Sequence, residues 1–451
     1  MAGQLILGLS ILVTLHEFGH FITAKWFKMR VDKFYLFFDF LFPIPTVLNF
    51  ALFKKKVGDT EYGLGWFPLG GYVSIAGMID ETQDAATLAK EPEPWEFRAK
   101  PAYQRLIVML GGVIVNVITG VVIFVALTFS NGNNFISKEE LNKNGIVALE
   151  LGQQIGLKTG DKVVKVNGAD YKSLADLRTS DVLLGENSSY TVLRDGQEIE
   201  VKIPSNFIEK LSDKKAAFIE PVAAFKVAEV AAPEEPGSEK GELLPAYSAG
   251  LKSGDYITAV NGQAIHFYHE IKAALAKEAG KPIKLAITRQ GRSDTLSMVV
   301  AKTGQIGFIP ELLIKTTHED YTFIESVQIG TGRAFSVISD NIRGFKKIAT
   351  GDVSASKALS GPIGIAQMFG GVWDWTRFWM LTGLLSMALA FMNILPIPAL
   401  DGGHAVFLIY EMITGKPASE KVLERAQQVG MLILLGLMAY TFGNDIFKAF
   451  F

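Results

Sequence analysis

Cysteine is absent from the 451 residues. That excludes disulfide staples, thiolate metal sites and a cysteine nucleophile, and leaves histidine and carboxylates as the donors for any metal. Charge of one sign is missing too: 44 Lys and Arg stand against 46 Asp and Glu, a formal net charge of -2. With no basic excess, nothing favours nucleic acid as a partner. Histidine is scarce, with six in the chain. No basic segment precedes the first apolar run and no small-residue cleavage site follows it, so a retained helix is expected there rather than a signal peptide.

What is abundant is apolar surface. Hydrophobic residues make up 49% of the chain and Phe alone numbers 31. Leu5 to Leu15 carries no charge, Leu106 to Phe129 none, and Phe378 to Leu395 none; Val429 to Phe442 forms a shorter fourth run. The second and third runs are long enough to span a bilayer as helices; the first belongs to an apolar start over 1–27, and the fourth extends through Gly443 towards Phe447, so four spans are expected. Lys25, Lys28, Arg30, Lys33, Lys54 to Lys56, Arg98, Lys100 and Arg105 lie between the first two runs, and Lys416, Lys421 and Arg425 between the last two. The positive-inside rule puts both loops in the cytoplasm and the long 131–372 segment outside.

The outer segment repeats itself. Gly156-Leu157-Lys158-Thr159-Gly160-Asp161 recurs as Gly250-Leu251-Lys252-Ser253-Gly254-Asp255, and Val166-Asn167-Gly168 as Val260-Asn261-Gly262, both 94 residues on. A period that long means tandem domains rather than a solenoid. Each copy reads as a Gly-Asp turn, a β-branched strand and an Asn-Gly turn, a pattern that resembles PDZ domains. Whether the copies bind peptide or act as spacers is open. Pro233 to Lys240 reads as a loop within the second copy. Tyr321 to Thr350 is amphipathic, either an interfacial helix or one packed on that copy. Between the first two spans, 61–73 alternates aromatics with glycine and predicts strand–turn–strand.

The chemistry sits at His16-Glu17-Phe18-Gly19-His20. Residues i and i+4 share a helix face, so His16 and His20 can hold one metal ion. Zn²⁺ would lower the pKa of a bound water, and Glu17 would act as general base, passing the proton on to the leaving amine. Ionisable groups beside a span are costly and functional by default. The third ligand must come from elsewhere. His266, His269 and His318 lie in the outer segment; His266 and His269 read either as a weak surface metal pair or as the start of a domain helix. Asn393-Ile394-Leu395-Pro396-Ile397-Pro398-Ala399-Leu400-Asp401-Gly402-Gly403-His404 ends the third span. Its prolines break the helix, and an unwound intramembrane segment lines a site. Asp401 is the expected third ligand, with His404 the alternative.

Together, HEFGH, FPLGGYV, the tandem repeat, LSGPIGIA at Leu359–Ala366 and NILPIPALDGGH resemble the site-2 protease family across the whole chain. The resemblance implies a polytopic α-helical membrane protein: four transmembrane helices, two inserted PDZ-like β-rich domains and a membrane-associated β-hairpin. The expected layout is a first helix over 1–27 and a cytoplasmic loop over 28–102, with the re-entrant hairpin near 61–73. A second helix follows over 103–130, then PDZ-like domains over 131–225 and 226–305. An amphipathic linker over 306–372 leads to the last two helices over 373–451. The resemblance implies an intramembrane zinc endopeptidase of the bacterial inner membrane, with His16, His20 and Asp401 on Zn²⁺ and Glu17 as base. Substrate contacts would come from Asn393, Pro396, Pro398, Gly63, Leu64 and Gly65. Ala388 departs from members that carry a second Asn there. Implied partners are the bilayer and single-span proteins, either anti-sigma factors trimmed by a first protease or remnant signal peptides. The rival from another class is a zinc transporter or metal sensor.

Overall fold

The structure is a computed structural model, which describes residues 1–41, 48–68, 70–78, 91–214, 217–231 and 245–450. The chain divides into two compact units, Met1–Gly132 with Asp320–Phe451, and Asn133–Glu319.

The first unit holds four helices long and apolar enough to cross a membrane: Ala2–Trp26, Ala102–Asn131, Trp375–Ile394 and Lys421–Lys448. We label the helices of this unit α1 (Ala2–Trp26), α2 (Ala102–Asn131), α3 (Phe323–Ala349), α4 (Pro362–Met368), α5 (Trp375–Ile394), α6 (Asp401–Thr414) and α7 (Glu420–Phe450). At 1.5 Å per residue even α5 is about 30 Å long, the thickness of a hydrocarbon core. Helix α2 is the hub, packing against α1, α3, α5 and α6. It meets α1 backbone to backbone. A Cβ on Gly111 would lie 2.5 Å from the Gly19 carbonyl oxygen, and one on Gly19 would lie 2.6 Å from the Gly111 carbonyl carbon. Small residues permit this approach where lipid gives no hydrophobic drive for helices to associate.

Helix α3 is the amphipathic stretch expected over 321–350. Its Thr322 and Glu325 form a reciprocal capping box. Ala334, Val337 and Ile338 pack with Phe124 and Met387 of α2 and α5, and Arg333 donates to Thr128 Oγ1 at 3.1 Å. Phe323, Ile324, Phe335 and Ile342 remain exposed. The LSGPIGIA stretch is α4 and its approach. Asp445 of α7 caps it, accepting from the N–H groups of Gly361 at 2.9 Å and Gly364 at 3.0 Å.

Between α1 and α2 lies a four-stranded sheet: β1 (Val31–Leu36), β2 (Ala51–Val57), β3 (Thr60–Gly65) and β4 (Tyr72–Ile75), in the order β2-β3-β1-β4. This corrects the hairpin expected over 61–73. Strands β3 and β4 do not pair with each other. Strand β1 lies between them, parallel to β3 with Lys33 opposite Glu61 and antiparallel to β4 with Tyr35 opposite Tyr72. The physical reason is burial: β1 brings Val31 and Tyr35, both almost fully covered, into the centre of the sheet. The hairpin is β2–β3.

The second unit is β-rich and holds both copies of the repeat, each around its own core. The first copy carries β6 (Ile146–Ala148) paired with β10 (Ile219–Pro221), and the sheet β7 (Lys162–Val166), β8 (Ser189–Arg194) and β9 (Gln197–Lys202). The second carries β11 (Ala224–Val230) paired with β16 (Phe308–Leu313), and a sheet in the order β13-β12-β14-β15. Those strands span Gln263–Ala264, Tyr256–Val260, Pro282–Arg289 and Arg292–Val299. Residues 306–319, expected in the linker, instead supply β16 and the short strand β17 (Thr317–Glu319). The latter pairs with β5 (Asn133–Phe135).

The repeated residues do the same work twice. Asp161 takes two bonds from Arg194, at 2.7 and 2.6 Å, and Asp255 takes two from Arg289 at the same distances. The arginines also donate to Gly156 O and Gly250 O at 2.8 Å. Asn167 and Asn261 both sit at positive φ, 51° and 49°, and accept from Ser189 N–H and Lys284 N–H at 2.9 Å. The Pro233–Lys240 loop lies outside the described residues.

Candidate metal centre

His16 and His20 share one face of α1, one turn apart. Asp401 opens α6, after Pro396 and Pro398 have ended α5 at Ile394. The return is tight: a Cβ on Gly402 would lie 2.5 Å from the Ile394 carbonyl carbon, and one on Gly403 2.7 Å from that of Ile397. The result brings three donor atoms together. His16 Nε2 and His20 Nε2 are 3.2 Å apart. Asp401 Oδ2 lies 3.3 Å from His16 Nε2 and 3.4 Å from His20 Nε2. Bonds of about 2.0–2.1 Å in a tetrahedron give edges of about 3.3–3.4 Å, so this triangle fits zinc as it stands. Asp401 Oδ2 is buried and has no hydrogen-bond donor, which a cation would remedy. Among the described residues this is the one cluster of three such side chains.

Helix α2 orients the imidazoles from behind. His20 Nδ1–H donates to Val108 O at 2.8 Å. His16 Nδ1 lies 3.2 Å from the Asn116 side-chain amide. Gly112 lies flush against both rings: a Cβ there would be 2.5 Å from His20 Nε2 and from His16 Cε1. Neither Asn116 nor Gly112 was expected from the sequence. The available signal was a lone Asn inside an apolar span.

The three donors open onto a cavity of about 220 Å³, lined also by Glu17, Tyr72, Val73, Ile75, Leu400 and His404. Glu17 and the β4 residues Tyr72 and Val73 line the same cavity. Asn393 Nδ2 lies 3.3 Å from His16 Nε2, on the metal side of that ring. His404 lines the cavity but is outside the donor cluster. The structure does not bring Gly63, Leu64 and Gly65 to this cavity. They lie in β3, where Gly63 and Leu64 are paired on one side to β1 and on the other to β2, and Gly65 is paired to Ala51 of β2. Pro396 is not on the cavity wall, and Pro398 lines a neighbouring cavity of about 110 Å³ that shares Met78, Ala399, His404 and Gln427 with the first. On that second wall Arg105 pairs with Glu411, tying α2 to α6. In the second unit His269 lies in the first turn of the helix Tyr268–Lys277 and His266 just before it, where its N–H donates to Glu270 at 2.7 Å.

The sequence pattern of peptidase family M50 matches residues 4–437. The chain belongs to peptidase family M50. It is a zinc metalloprotease of the site-2 type, which displaces the transporter or sensor alternative. This M50 chain is 29% identical over 462 residues to the regulator of sigma-E protease RseP of Escherichia coli, covering 98% of this chain and 97% of that protein. It is 28% identical over 473 residues to the protease RseP of Yersinia pestis, with the same coverage. A protein of Neisseria meningitidis serogroup A named as a zinc metalloprotease is 28% identical over 464 residues, again covering 98% and 97%. In this M50 peptidase the donor triangle joins α1 to α6, both held on α2.

Proposed function

We propose that the chain cuts the transmembrane segments of single-span membrane proteins, with His16, His20 and Asp401 holding Zn²⁺ and Glu17 acting as general base. The observation that carries this is the buried triangle of donors with Glu17 and the edge strand β4 on the same cavity. Zinc, when bound, supplies Lewis-acid activation of water and of the scissile carbonyl.

The protein's own residues do the rest. A substrate helix hides its peptide bonds in its own hydrogen bonds, so a stretch must unwind before it can be cut. Lipid cannot satisfy the freed groups. Strand β4, at the end of its sheet, can, by taking the unwound stretch as an added strand, and its Tyr72 and Val73 line the cavity with Glu17. Glu17 takes the proton of the attacking water and passes it to the leaving nitrogen. Asn393, beside His16, has both a donor and an acceptor for the substrate backbone. Charge in the short loops puts this site near the cytoplasmic face of the bacterial inner membrane and the β-rich unit, read as two PDZ-like domains, outside. The relatives' name, regulator of sigma-E protease, supports an anti-sigma factor as one substrate; remnant signal peptides share the same single-span chemistry.

The test is Glu17→Gln in purified full-length protein. We expect about one zinc per chain to remain while cleavage of a single-span peptide falls by about 10²–10⁴-fold. Normal turnover, or loss of the metal, would remove Glu17 from this role.

A further inference from the structure

We propose that Asn116 is a positioning residue for the metal: its side-chain carbonyl accepts the His16 Nδ1–H, which locks His16 in the tautomer that turns Nε2 to the ion. This rests on the zinc reading of the His16, His20 and Asp401 triangle.

The argument starts from the ring nitrogens. His16 Nε2 is the atom that converges with His20 Nε2 at 3.2 Å and Asp401 Oδ2 at 3.3 Å. A neutral imidazole that gives its Nε2 lone pair to a metal carries its proton on Nδ1. That proton needs an acceptor, which also fixes the plane of the ring. His20 has one in Val108 O, at 2.8 Å. Among the described residues, the hydrogen-bonding partner within reach of His16 Nδ1 is Asn116. As placed, the Asn116 amide nitrogen is the near atom, at 3.2 Å. Two N–H groups would then point at each other. Meanwhile Asn116 Oδ1 is buried and has no partner. Oxygen and nitrogen of an amide are near-isosteric, and their assignment follows the hydrogen-bond network. Turning the amide by half a revolution removes both faults at once: the orphan oxygen meets the Nδ1–H.

The surroundings hold the amide in place for this task. Asn116 is fully buried. Its backbone carbonyl accepts from Ser386 Oγ at 2.7 Å, pinning α2 to α5 at this residue. Gly112, one turn earlier on the same helix, puts no side chain between α2 and the imidazoles. Asn116 thus does for His16 through a side chain what Val108 does for His20 through the backbone.

The experiment measures zinc affinity by chelator competition on full-length protein in detergent, for wild type, Asn116→Asp and Asn116→Leu. Asp keeps the shape and offers only acceptors; Leu keeps the volume and offers none. We expect Asn116→Leu to weaken zinc about 10–100-fold and Asn116→Asp to stay within about threefold of wild type. The visible bands of the Co²⁺-substituted protein should match between wild type and Asn116→Asp and shift in Asn116→Leu. Melting of the zinc-free proteins separates an unfolded variant from a weak binder, and if Asn116→Leu does not fold, Asn116→Asp decides alone. Loss of affinity in Asn116→Asp would mean that the amide acts as a donor and would overturn the proposal. Wild-type affinity in Asn116→Leu would do the same. Wild type that binds no zinc, or Asp401→Ala with unchanged affinity, would instead overturn the metal reading on which it rests.

Discussion

Gly112 has room for a hydrogen atom and nothing more, because a Cβ would sit 2.5 Å from His20 Nε2. Gly112→Ala should therefore push the imidazoles apart and weaken zinc by roughly tenfold or more, measured as metal content after dialysis against a weak chelator. Asp401→Ala should do more, since it removes a donor: we expect loss of metal at equilibrium in the same assay. The legibility of these residues differed for physical reasons. His16, Glu17 and His20 declare themselves by spacing, because one helical turn puts i and i+4 on one face. Asp401 was legible through topology, as the carboxylate beside a broken helix on the same membrane face. Asn116 carries no spacing signal at all. Its contact with His16 spans 100 residues of sequence, and Val108 contributes only a carbonyl that any residue would have.

At the scale of elements, β4 is the terminal strand of its sheet and lines the cavity with Glu17. Val73→Pro deletes a backbone N–H of this strand, and proline is tolerated on edge strands. We expect single-span peptide cleavage to fall by roughly tenfold or more with zinc content unchanged; equal loss of both would show a collapsed sheet instead. The Asp–Arg pairs of the β-rich unit contribute to its stability. Burial raises the Asp255 carboxyl, but the Arg289 guanidinium and the Lys252 N–H outweigh it and hold the group below its ordinary value of 3.8. A lowered carboxyl stabilises above its unfolded pKa, and that contribution is lost as pH falls through the folded value. Hydrogen exchange on the full chain should thus show β12 and β14 losing protection in acid, below about pH 4. Asp255→Asn should loosen the same strands at neutral pH by about 2–4 kcal/mol. The repeat itself was legible, since turn residues recur at a fixed offset. The sheet order was not. Which strand lies between β3 and β4 depends on β1, whose partners in β3 lie 28 residues further along the chain, and local alternation carries no information about partners. The strands within 306–319 were hidden for the same reason: each is short and finds its partner far away in sequence.

At the scale of the whole molecule, four apolar spans and a β-rich unit were readable from hydropathy and repeat alone, because both are bulk properties of long windows. The way α2 gathers the other helices was not, since close backbone crossings such as Gly19 on Gly111 leave only scattered glycines in the sequence. The brevity of β4 has a mechanical consequence. Four residues, Tyr72 to Ile75, give an edge about 13 Å long. The same four residues of a substrate occupy about 6 Å while still helical. Docking on β4 as proposed above would stretch a single-span substrate by about 7 Å, and that slack would be taken up by sliding the rest of the span towards water. On that reading the bilayer acts as a spring opposing each cut, and spans that are short, or already loosened by glycine or proline, would give way first.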